Sequence, residues 1–102
     1  MPFKIAEEYE GEKNVLIPLL MWELLQALLN KQDAEWDDIC YLDIKSPNGT
    51  TFQIFVDCGE FDYFEWAVLP DGTKLEYGST PLRELQYNWS DPFNRLFLEL
   101  VN

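Results

Sequence analysis

At 102 residues, 47% hydrophobic and 16% aromatic, the chain has the size and apolar content of one folded domain and is too greasy for a disordered acidic tail. A net charge of −12 excludes the cationic footprint that phosphate binding requires and opposes anionic lipid, so neither direct nucleic-acid binding nor membrane association is expected. Histidine is absent, which removes the commonest general base, the usual activator of a nucleophilic thiol and the commonest metal ligand.

Residues 1–13 form a polar lead-in, with Glu7, Glu8, Glu10 and Glu12 close together and no apolar signal-peptide core. Phe3 and Ile5 suit a short edge strand. The longest apolar stretch, Val15 to Leu29, contains Pro18, Glu23 and Gln26 and is too short and polar to span a bilayer; it predicts a core helix. A cytoplasmic location follows as the default expectation. The glycosylation patterns at Asn48 and Asn88 are then idle, and Cys40 and Cys58 are expected to be reduced, buried and small. Pro18 fits a helix start, with the helix running to Lys31. Glu23, Gln26 and Asn30 fall on one narrow wet stripe, so the rest of that helix is expected to be covered.

The period changes after Asp38. Asp38 to Ser46, Thr51 to Cys58 and Phe61 to Leu69 alternate and are rich in aromatic and β-branched residues, which predicts strands. Pro47-Asn48-Gly49 and Pro70-Asp71-Gly72 supply the turns. A three-residue loop with a glycine bulge pairs Ser46 with Thr50, and hence Ile44 with Phe52, Leu42 with Ile54 and Cys40 with Val56. That register makes one face uniformly apolar, whereas a two-residue loop sets Ile44 against Gln53. The same reasoning pairs Val56 with Phe64, Ile54 with Trp66 and Phe52 with Val68. Around Gly72 it sets Leu75 opposite Ala67 and Tyr77 opposite Glu65. Trp66 is therefore expected in the core.

Thr80 and Asp91, each followed by proline, predict the N-caps of two C-terminal helices, over Pro81–Tyr87 and Pro92–Val101. Phe93, Leu96, Phe97 and Leu100 share a face of the second. The expected fold is α+β: one domain over 1–102, with an N-terminal helix, an antiparallel three- to four-stranded β-meander, and C-terminal helices packed on one sheet face.

The opposite sheet face carries the functional signal. Its expected rows are Tyr41–Phe55–Glu65–Tyr77, Asp43–Gln53–Ala67–Leu75 and Ile39–Asp57–Tyr63, so aromatics mix with carboxylates. No basic residue lies between Lys45 and Lys74. Such a face is either an ordinary solvated one or a contact surface whose aromatics supply area and whose acids meet a cation. The expected partner-binding residues are Tyr41, Asp43, Phe55, Asp57, Tyr63, Glu65 and Tyr77.

Catalysis finds little support. Asp37-Asp38 and Asp57…Glu60-Asp62 lack calcium-loop spacing, the glycines are isolated, and the cysteines have no activating base. No catalytic, cofactor or metal-ligating residue is expected, and the protein is not expected to be an enzyme. The four tryptophans are expected as core or rim anchors. The pattern instead suggests a small acidic protein that blocks a basic protein partner. Two versions share the physics: an immunity protein or antitoxin covering a nuclease or toxin domain, and a nucleic-acid mimic that inhibits a defence nuclease. A non-catalytic structural or regulatory subunit is the alternative.

Overall fold

The computed structural model describes residues 13–102; the expected strand through Phe3 and Ile5 lies outside the described residues. Helix α1 (Lys13–Leu29) has Pro18 inside it rather than at its start, and the chain turns out of helix before Lys31. Proline forfeits one backbone bond, to the carbonyl of Asn14. The leucine-rich turns that follow pack well enough to hold the helix.

A single 3-10 turn leads into five antiparallel strands, β1 (Glu35–Asp38), β2 (Tyr41–Lys45), β3 (Thr51–Asp57), β4 (Glu60–Val68) and β5 (Lys74–Glu76), in that spatial order. The meander thus has one strand more than the upper expectation. The addition is β1, whose four residues are all exposed and three of them acidic, which suits a guarded sheet edge better than a half-buried strand. Helices α2 (Thr80–Tyr87) and α3 (Asp91–Val101) follow, with Ser79 and Ser90 as N-caps, each one residue earlier than expected.

The β2–β3 register is as expected: Ile44 faces Phe52, Leu42 faces Ile54, and the Ser46 amide bonds the Thr50 carbonyl at 2.8 Å. The β4–β5 register also holds, with Ala67 opposite Leu75, but both are buried in the core and do not lie on the outer face, where they were expected. Between β3 and β4 the expected register is wrong. Cys58 and Gly59 both take positive φ, 53° and 80°, so a two-residue hairpin turn pairs Asp57 with Glu60. Val56 then pairs with Phe61, Ile54 with Phe64 and Phe52 with Ala67, and the register shifts twice on the way. Each shift leaves one β4 residue, Asp62 and then Glu65, without an opposite number. The core-facing residues of β4 are therefore Phe61, Phe64 and Ala67, spaced by three instead of two.

Trp66 and Cys58 move with that register, and Cys40 and Ile39 depart from expectation because β2 begins only at Tyr41. Trp66 pairs with Gln53 and lies on the outer face, its ring 5.5 Å from the Lys74 ammonium. Cys58 is exposed at the hairpin tip, while Cys40 is half-buried. Ile39 sits fully out in solvent at the β1–β2 turn instead of pairing with Asp57.

The three helices cover one sheet face. Leu20, Leu24 and Leu28 of α1, Leu82 and Leu85 of α2, and Phe93 and Phe97 of α3 meet Ile44, Phe52, Ile54 and Phe64 of the sheet in one buried cluster. Trp89 stacks on Phe61 at 3.9 Å and closes the cluster at one end.

Glu23 departs most from expectation. It is buried, not part of a wet stripe. Its Oε1 accepts bonds from the Ser46 and Thr50 hydroxyls at 2.8 and 2.7 Å, and its Oε2 accepts one from Asn48 Nδ2 at 2.8 Å. One carboxylate thus clamps the β2–β3 turn to α1. The exposed side of α1 is instead apolar, with Leu19, Trp22 and Leu29 in solvent. Among the described residues, no helix is long and apolar enough to cross a membrane.

Candidate partner-binding face

The sheet face away from the helices is organised around a row of rings. Tyr41 pairs with Phe55, and Phe55 with Tyr63. Their rings lie 5.3 Å apart and tilted, then 5.1 Å apart and stacked. Tyr77, just past β5, adds a fourth ring 4.9 Å from Tyr63. Cross-strand aromatics at these separations stabilise a sheet face and form a continuous row of ring contacts. Tyr63 rather than Glu65 fills the β4 position of this row. That substitution follows from the bulges and lengthens the continuous aromatic surface.

Carboxylates flank the row on both sides. Along the strands in one direction lies Asp43–Gln53–Trp66–Glu76, with Glu35 of β1 opposite Asp43. In the other direction Asp57 and Glu60 pair at the hairpin. Glu65 lines the same shallow hollow as Trp66, Lys74, Glu76 and Tyr77. All seven expected residues thus belong to this side of the sheet. Tyr41, Phe55, Tyr63 and Tyr77 touch as a ladder; Asp43, Asp57 and Glu65 stand around it and do not interleave with it.

Gln53 Nε2 donates to Asp37 Oδ2 and Asp43 Oδ1, both at 2.9 Å. One amide therefore holds two carboxylates together beside the rings. Burial raises the Asp43 pKa above the ordinary value, the Gln53 bond opposes that, and the Asp37 and Glu35 charges add to the rise. The arrangement concentrates negative potential that a cation would relieve. Burial also acts on Tyr63; together with hydrogen bonding to Tyr41 and the proximity of Glu65 it pushes that phenol up to about 12. A spectrophotometric titration should show one tyrosine ionising near that pH, and Tyr63→Phe should abolish that step.

Gln53 lies on this face as expected, though not among the expected binding residues. Asp37, Trp66 and Glu76 also belong to it but are missed from sequence, where Trp66 is expected in the core. The available signal was the Phe61, Phe64, Ala67 spacing, which a bulged strand explains and a regular one does not. Among the described residues, no group of three or more histidine, cysteine, aspartate or glutamate side chains is arranged to hold a metal ion. No family model matches the chain, and comparisons with curated proteins and with solved structures find no match.

Proposed function

We propose that this protein is a small acidic inhibitor that covers a basic nuclease or toxin domain with its outer sheet face, in the manner of an immunity protein or antitoxin. The observation that carries the reading is the ladder Tyr41–Phe55–Tyr63–Tyr77 with carboxylates on both flanks. Rings packed against one another are rigid and supply contact area at little entropic cost, and the surrounding acids set encounter rate and selectivity. The compact arrangement supports a protein-covering surface over a nucleic-acid mimic, which would string its carboxylates along a stripe at phosphate-like intervals.

The experiment is capture from the native host, or from co-expression with the neighbouring gene, followed by a nuclease assay of the captured protein. A basic protein whose activity falls to zero at one equivalent of inhibitor is the expected result. A captured partner that is acidic, or stays fully active when saturated, contradicts the reading. Association should slow as salt rises, because screening shortens to about 3 Å at 1 M and removes long-range steering. An on-rate independent of salt would exclude electrostatic steering.

A further inference from the structure

We propose that two copies of this chain associate through the outward face of α1. Leu19, Trp22 and Leu29 lie on that face and are 43%, 55% and 52% exposed. Pro18 is exposed beside them at the N-terminal end, and Leu25 and Gln26 are half-buried at the edges of the face. These positions recur at helical spacing and form one stripe along a helix about 25 Å long. Contiguous apolar surface of this kind marks a contact site.

Charge selects the occupant. From Leu16 to Leu29 the one charged residue is Glu23, and its carboxylate is turned inward onto the β2–β3 turn. In a chain of net charge −12, this stripe offers nothing to a cationic partner and repels nothing acidic. It is complementary to an uncharged apolar surface, and a second copy carries an identical one. Two-fold pairing needs such self-complementarity, since the same patch must face itself. The acidic surfaces elsewhere cannot meet their own copies without repulsion. The stripe lies on the helical layer, across the sheet from the aromatic ladder. A pair joined there leaves both ladders free, so the inference stands apart from the proposed inhibitory face.

Sedimentation equilibrium of the full chain, up to roughly 1 mM protein, tests this. The mass should rise toward twice the 12.0 kDa of one chain. Association should strengthen with added salt, because salt screens the repulsion between two acidic chains. That sign is opposite to the one expected for a basic partner. Trp22→Glu and Leu29→Glu should each weaken dimerisation at least ~10-fold, and circular dichroism should report an unchanged fold because both positions are exposed. A chain that stays at 12.0 kDa throughout overturns the proposal, whether the stripe is bare, covered by residues 1–12 or reserved for a different protein. Dimers that survive both substitutions overturn it as well.

Discussion

Phe97→Ala is expected to destabilise the protein by about 3–5 kcal/mol, the range for deleting a fully buried large aromatic. Phe97 has no exposed surface and meets Phe61 and Trp89 edge-on at 6.2 and 5.7 Å. Those contacts join α3 to β4 and to the segment between α2 and α3. The substitution therefore empties the place where the last helix is fastened, and flanking helices cannot close a void bounded by stacked rings. Trp66→Ala is the matching control. Its ring lies on the outer face under Lys74, so its loss should cost about 1 kcal/mol, the scale of a surface cation–π contact. Denaturant midpoints of both variants decide the matter. A Trp66→Ala loss as large as that of Phe97→Ala would return Trp66 to the core and invalidate the bulged register.

Glu23→Ala is expected to cost about 3 kcal/mol, because it strands the buried hydroxyls of Ser46 and Thr50. Ser46 and Thr50 lose the same acceptor oxygen, and Asn48 loses the other. The turn they belong to would then have no polar tie to α1 through this position. The same clamp makes stability depend on pH. Burial alone would raise the Glu23 pKa, but the bonds from Asn48, Thr50 and Ser46 outweigh it and the net shift is downward. A carboxylate lowered in the folded state contributes its full stability above the unfolded value of 4.5. That contribution is lost as pH falls from there through the lower folded value. Asp43 acts with the opposite sign, because its raised pKa favours the protonated folded form. Wild-type stability should therefore fall more steeply below the ordinary carboxylate range than that of Glu23→Ala. Parallel curves for the two proteins would show that the clamp does not titrate.

The elements legible in the sequence were those whose local chemistry agreed with their packing. The turn around Asn48-Gly49 names its own geometry, and only one register makes Leu42, Ile44, Phe52 and Ile54 share a face. The paired proline and cap signals placed α2 and α3 to within a residue. β4 was illegible to a period-two reading because its two bulges each insert a residue, which moves Trp66 out and Ala67 in. Cys58 hid the hairpin turn, since a cysteine at φ 53° is not among the residues that favour it. Glu23 looked solvated because its partners lie 23 to 27 positions away, beyond any local pattern. On the candidate face, Tyr41, Phe55 and Tyr63 were found through strand alternation that the bulges happen to preserve. Asp37 escaped because β1 is too polar to read as a strand.

The outer face is the central element of this account, and its middle is where binding energy should concentrate. Phe55 stands between Tyr41 and Tyr63 in the ladder, so its truncation removes contact at the centre, whereas rim acids mainly govern rate. Asp62, an exposed bulge residue outside the ladder, should be replaceable by alanine with little effect. The most direct measurement is the affinity of the captured partner for Phe55→Ala combined with Glu65→Ala, determined by calorimetry alongside wild type and Asp62→Ala. Binding at least ~10-fold weaker in the double variant, from a loss of about 1–2 kcal/mol or more at Phe55, with Asp62→Ala unchanged, is the expected result. Wild-type affinity in the double variant would contradict the assignment of this face.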